Sequence, residues 1–160
     1  MIIILMGVSG SGKTTIGKLL AVNLGWDFYD GDDFHSAANI AKMSGGTALT
    51  DEDRQPWLQS LRELITRCID REEPAVIACS ALKKSYRIEL RVNETVRFVY
   101  LKGSFAQLEK RLNERQNHFM TSELLANQFA TLEEPEDALK IDVSRPPAEI
   151  VSSIRTAFGI

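Results

Sequence analysis

The chain has only two cysteines, Cys68 and Cys79, which form no Cys-x-x-Cys pair and have no histidine clustered beside them. A disulfide framework and a cysteine-based zinc site are thereby excluded, and both thiols read as small buried hydrophobes in a reducing setting. Long apolar runs are also missing. The first, Ile2 to Met6, ends directly in a glycine-rich turn and is too short for a signal peptide or a membrane span, so a cytoplasmic location is expected. Basic charge is scarce as well: 19 Lys and Arg face 22 Asp and Glu, a net charge of -3. The basic excess of a nucleic-acid-binding surface is absent, and neither nucleic acid nor membrane is an expected partner. Repeats, low-complexity segments and linkers are absent too, which argues against a second independent domain. What remains is 160 residues, 44% hydrophobic, enough to bury roughly 70% of the unfolded surface without staples. One domain over residues 1–160 is expected.

Short apolar runs alternate with longer helical patterns. The runs are Ile2 to Met6, Trp26 to Tyr29, Ala75 to Cys79, Val96 to Leu101 and, weakly, Leu139 to Val143. Between the first two, Ile16, Leu19, Leu20 and Leu24 fall at helical spacing. Apolar strands alternating with helices predict an α/β fold, a parallel sheet covered on both faces. A last helix is marked by Pro146 and Pro147 and by the stripe Ile150, Val151, Ile154 and Phe158. The connection from Asp30 to Pro74 is far longer than a plain crossover needs. Its second half carries the stripe Trp57, Leu61, Leu64, Ile65 and Cys68, so residues 31–74 are expected to form a helical insertion able to cover a substrate.

Gly7-Val8-Ser9-Gly10-Ser11-Gly12-Lys13-Thr14 fits the pattern Gly, four residues, Gly-Lys-Ser/Thr, between an apolar strand and an amphipathic helix. Glycines there let successive N–H groups approach phosphate oxygens, and the helix adds its positive end. Lys13 then reaches the β- and γ-phosphates, Thr14 offers its hydroxyl to Mg²⁺, and Thr15 follows within the same site. The competing reading is a chance glycine-rich turn. No Asn-Lys-x-Asp or Asp-x-x-Gly segment is present to suit a GTPase, so ATP is the expected nucleotide.

The third apolar run leads into Ser80, where a Walker B acid would be expected, so the metal needs another carboxylate. Asp30-Gly31-Asp32-Asp33-Phe34-His35 supplies candidates at a strand's carboxyl end, which faces the ligand crevice in a parallel sheet. Asp30 suits a Mg²⁺-bound water, and Asp32 suits the proton of an attacking hydroxyl. The alternative is a solvated turn in which Asp33 caps the following helix. The segment Ser104 to Gln116 reads as a helix with Arg111 and Arg115 on one face, about 6 Å apart along the axis. Two guanidinium groups there suit adenine stacking and the transferring phosphate, against the reading of an ordinary charged face. Ser80, Lys83, Ser85, Tyr86, Arg87 and Arg54 are further polar groups within reach of an anionic, hydroxyl-rich ligand.

These segments together resemble the gluconate kinases, small P-loop enzymes related to shikimate kinase and the nucleoside monophosphate kinases. The resemblance runs through residues 7–14, 30–35 and 39–43, then 49–58 and 78–87, with Ser80-Ala81-Leu82-Lys83 especially specific. It continues through Arg115-Gln116-Asn117-His118-Phe119-Met120, residues 124–129 and residues 131–135. The chain departs from the family pattern at Ser36 and Ala48, where prolines are usual, and at Asn127, where serine is usual. The resemblance implies a three-layer P-loop NTPase fold with a five-stranded parallel sheet, a lid over about residues 111–125 and a homodimer. It implies ATP-dependent phosphorylation of D-gluconate at the 6-hydroxyl, with Mg²⁺. Carried onto this chain, it makes Asp32 the group that orients or deprotonates that hydroxyl, with Lys13 and Arg115 assisting transfer. Arg54, Lys83 and Arg87 become partners of the carboxylate or the phosphoryl group, Arg111 and Arg115 the lid pair, and Gln128 and His35 ligands of the polyol; Ser80 lies beside them.

Two rival readings stay open. The first is a kinase for another small acceptor, although shikimate kinases place glycines where this chain has Ser80-Ala81-Leu82-Lys83. The second is a non-catalytic ATP-binding sensor, against which the intact Asp30, Asp32, Arg54 and Arg115 speak.

Overall fold

The computed structural model describes residues 1–115 and 120–160. Its strands are β1 (Ile2–Met6), β2 (Asp27–Asp30), β3 (Ala75–Ala78), β4 (Val96–Lys102) and β5 (Leu139–Asp142). All four pairings are parallel, in the order β2-β3-β1-β4-β5. β1 is buried along its whole length and lies mid-sheet, where the strand order reverses, so the loop after it opens at the switch point of the fold.

The period-2 alternation of the strands divides the core in two. Ile2, Ile4 and Met6 of β1 pack with Ala75, Ile77, Phe98 and Tyr100 against α3 (Asp51–Asp70) and α4 (Lys84–Leu90). Ile3 and Leu5 turn the other way with Val76, Val99 and Leu101, against α1 (Lys13–Leu24), α5 (Phe105–Asn113) and α7 (Pro147–Phe158). Helices therefore cover both faces, as the continuous apolar runs predict.

Residues 31–74 hold a short 3-10 helix (Gly31–Phe34), α2 (Ala37–Ser44) and α3, while α6 (Ser122–Thr131) lies between α5 and β5 in the chain. The cap of the 3-10 helix is Asp30, whose carboxylate accepts from Asp32 N at 3.1 Å, and Ser36 caps α2 by accepting from Asn39 N at 3.1 Å. The capping role considered for Asp33 thus falls to its neighbours. Thr50 and Asp53 form a reciprocal capping box at the start of α3. The helix expected over Ser104 to Gln116 stops at Asn113, so Arg111 stands in its last turn and Arg115 in the turn beyond it. The shared-face spacing of those two arginines therefore does not apply. Residues 116–119, with the His118-Phe119 pair of the family resemblance and the middle of the expected lid, lie outside the described residues.

Candidate active site

The loop from β1 into α1 bends through three glycines at positive φ, Gly7 at +146°, Gly10 at +82° and Gly12 at +95°. A side chain would strain all three positions, which is why the turn needs glycine there. Lys13 at the mouth of α1 is half-buried, with Nζ donating to the Val8 carbonyl at 3.0 Å. Loss of water pushes its ammonium pKa down, with Asp32, Cys79 and Asp30 pulling against that shift. Thr14 Oγ1 donates to Asp30 Oδ2 at 2.8 Å, joining the loop to the end of β2. Ser9, Gly10, Gly12, Lys13, Thr14, Thr15, Asp30, Asp32 and Arg115 line one cleft over the loop. Val8 is buried beneath the loop, and a Cβ on Gly7 would come within 2.8 Å of the Leu101 carbonyl oxygen.

A second cleft continues past Gly12, Thr15 and Arg115 to Ser11, Arg111, Arg145 and Pro147. Arg111 is pinned by two carbonyls, donating to Val143 O at 2.6 Å and Gly10 O at 3.4 Å. The guanidinium thus ties the phosphate loop to the loop after β5. Sequence reasoning passed over that second loop because nothing in Val143 to Pro147 forms a motif.

On the other side of Lys13 lies a pocket walled by the insertion and α6. Asp32, His35, Arg54, Ser80 and Gln128 all line it, with Ser9 and Lys13 at its inner end. Gly31 lets the acidic turn lie flat on β3, since a Cβ there would come within 2.6 Å of the Ala78 carbonyl oxygen. The Gly31 carbonyl accepts from Trp57 Nε1 at 2.7 Å, and the Trp57 ring stacks on His35 at 4.4 Å between centroids. Trp57 had read only as part of a core stripe; its indole N–H, which demands an acceptor when buried, was the available signal. Burial and the nearby Arg54 charge push His35 down to about 4, so it is neutral at pH 7. Asn39 Nδ2 stands 3.4 Å from His35 Nδ1 and donates to Asp53 O at 2.8 Å. An amide nitrogen facing Nδ1 makes Nδ1 the acceptor and leaves the ring proton on Nε2.

Gln128 reaches from α6 to the phosphate loop, with Oε1 accepting from Ser9 N at 2.7 Å and Nε2 donating to Ser9 Oγ at 3.3 Å. Asn127, which stands where the family pattern has serine, lines the wall with Thr131 and Met43, neither of which was proposed as a ligand from the sequence. Two predicted ligands are placed elsewhere. Lys83 pairs with Asp51 at 2.9 Å, outside the lining. Arg87 is buried and donates to the carbonyls of Ala81, Leu82 and Glu133 at 2.9, 3.0 and 2.8 Å. Its guanidinium closes the turn after β3 instead of facing the pocket.

Two clefts meeting at a phosphate loop, with a carboxylate and an ammonium common to both, suit transfer of a phosphoryl group from a nucleotide to a second ligand. The chain matches the shikimate kinase family over residues 9–154. It is 46% identical to a probable gluconokinase of Xenopus tropicalis, over 96% of this chain and 91% of that protein. Identity to the thermoresistant gluconokinase of Escherichia coli K12 is 43%, over 95% and 90% of the two chains. Among solved structures, a gluconokinase from Sinorhizobium meliloti superposes with a TM-score of 0.84 at 46% identity, covering 94% of this chain and 86% of that one. Shikimate kinase from Aquifex aeolicus shares the fold at a TM-score of 0.62 and 20% identity, over 99% and 96% of the chains.

Proposed function

The chain belongs to the shikimate kinase family and, within it, to the gluconokinases, and from that membership we propose that it transfers the γ-phosphoryl group of ATP to the 6-hydroxyl of D-gluconate. The products are 6-phospho-D-gluconate and ADP. The observation that carries the reading is that Ser9, Lys13 and Asp32 line both the phosphate cleft and the acceptor pocket. A hydroxyl in that pocket and a γ-phosphate in that cleft share one boundary.

Asp32 takes the proton of the acceptor hydroxyl as its oxygen bonds to the γ-phosphorus and the bond to the ADP oxygen breaks. Lys13 and Arg115 balance the charge that collects on the transferring group and on ADP. Neutral His35, with its proton on Nε2, donates to a polyol oxygen. Arg54, the second cation of the pocket wall after Lys13, suits the carboxylate of gluconate. Thr14 Oγ1 and the Asp30 carboxylate, already 2.8 Å apart, are hard oxygen donors that fit Mg²⁺, Asp30 acting through water. When bound, Mg²⁺ neutralises charge on the β- and γ-phosphates. One kinase domain with its insertion and lid, a homodimeric state and a cytoplasmic setting belong to the same reading, supported by the resemblance. No helix among the described residues is long and apolar enough to cross a membrane.

A coupled ADP-release assay with Mg²⁺ and ATP tests it, run in parallel with D-gluconate, shikimate, AMP and no acceptor. ADP release that depends on D-gluconate is expected, and release driven by another acceptor overturns the substrate assignment. Asp32→Asn should lower kcat by about 10²- to 10³-fold while leaving ATP binding intact. An unchanged kcat removes Asp32 from the proton transfer.

A further inference from the structure

Arg54 lines the acceptor pocket and, among the described residues, forms no direct ion pair with a carboxylate. Among the described residues, its guanidinium makes one side-chain hydrogen bond, from Nη1 to the Tyr86 hydroxyl at 3.2 Å, and lies 5.7 Å from the centroid of the Tyr86 ring. The Tyr86 hydroxyl in turn donates to Oδ1 of Asp51. Lys83 holds the same carboxylate, with Nζ 2.9 Å from each oxygen. Asp51 opens α3 and Tyr86 lies on α4, so the network crosses the seam between the insertion and the body of the protein.

The order of this network matters. A direct Arg–carboxylate pair would fill the guanidinium fork and neutralise it. A phenol between the two orients the cation and leaves its charge available to an incoming anion. Donation to Asp51 also polarises the phenol, making its oxygen a better acceptor for Arg54. The Tyr86 ring is 4% exposed and packed into the core, so the hydroxyl is held in place from behind.

We propose that Tyr86, anchored by Asp51, is a positioning residue that presents Arg54 to the carboxylate of the acceptor and thereby sets the preference for an acidic polyol. This rests on reading the acceptor as D-gluconate. Lys83, on the same reading, acts through Asp51 and does not meet the substrate.

The test is a double-mutant cycle in the gluconate-dependent assay. Tyr86→Phe keeps the ring in the core and removes only the hydroxyl; it is expected to raise KM for D-gluconate about tenfold, with kcat and KM for ATP within about twofold. Asp51→Asn, at an exposed position that carries the test even if Tyr86→Phe is unstable, is expected to raise the same KM about threefold. In the Tyr86→Phe background it should add less than twofold, because the relay is already broken. A KM for D-gluconate within twofold of wild type in both single variants overturns the positioning role, as do fully additive effects. Absence of gluconate-dependent turnover in the wild-type protein overturns the acceptor reading, and this proposal with it.

Discussion

The nucleotide side and the acceptor side of this site are built by opposite means. The phosphate cleft comes mainly from one continuous stretch, Gly7 to Thr15, which supplies backbone amides, the Lys13 ammonium and the Thr14 hydroxyl, with Asp30, Asp32 and Arg115 added from outside it. The acceptor pocket is assembled from side chains on the 3-10 helix, α2, α3, the turn after β3 and α6. Contiguous backbone geometry makes the first side robust to its surroundings, whereas three groups of the second are aimed by partners on other elements. Trp57 aims His35, Tyr86 holds Arg54, and Ser9 holds Gln128. Specificity therefore resides where the network is long, and the shared chemistry where the chain is local.

The comparison breaks most sharply at Lys13, which belongs to both sides. Lys13→Ala should lower kcat by about 10³-fold or more, as loss of a charge-stabilising group does in phosphoryl transfer. Its folded pKa is lowered by desolvation, so removing it relieves a burial cost, and the thermal midpoint should not fall. A residual kcat near wild type would detach the loop from the chemistry.

Arg87 sharpens the boundary between support and recognition. Arg87→Met takes the guanidinium donor from the carbonyls of Ala81 and Glu133, while Leu82 O keeps its bond from Glu133 N at 2.9 Å, and should cost about 2 to 4 kcal/mol in a urea melt. KM for D-gluconate in the folded fraction should stay within about twofold. A tenfold rise in KM at unchanged stability would move Arg87 into the acceptor pocket.

The smallest effect is a pH dependence confined to the acceptor side. The folded pKa of His35, about 4, is depressed below the ordinary 6.5, so between those values the unfolded chain binds more protons and stability rises with pH. The contribution is complete above about pH 6.5 and is lost as pH falls toward about 4. Because the ring is partly exposed, about 1 kcal/mol is expected in denaturant melts across that window. His35→Gln should remove that part of the slope; an unchanged slope would show that the ring is not held neutral by the fold.

Legibility followed the same division. Ile2 to Met6 was readable as a central strand because residues buried on both faces leave a continuous apolar run, Val96 to Leu101 because only the exposed Arg97 interrupts its run, and Leu139 to Val143 was weaker because β5 is an edge strand. The phosphate loop was readable because glycine positions and lysine are fixed by local backbone torsion. Asp30 and Asp32 were readable from their place after a strand. Arg111 and Arg115 were harder: both line the cleft beside the phosphate loop, but α5 ends between them, and helical spacing says nothing about where a helix stops when Asn113 and Glu114 offer no strong terminator.

By itself, the sequence determined the phosphate loop, the parallel sheet and the acidic turn, because each depends on residues adjacent in the chain or on a strict short period. Only the tertiary structure decided among Arg54, Lys83 and Arg87, three cations equally eligible by composition. Lys83 meets a carboxylate 32 positions away and Arg87 a carbonyl 46 positions away, while Arg54 is left facing the pocket. Which cation remains available to a ligand is settled by where distant acceptors come to rest, and no local pattern records that.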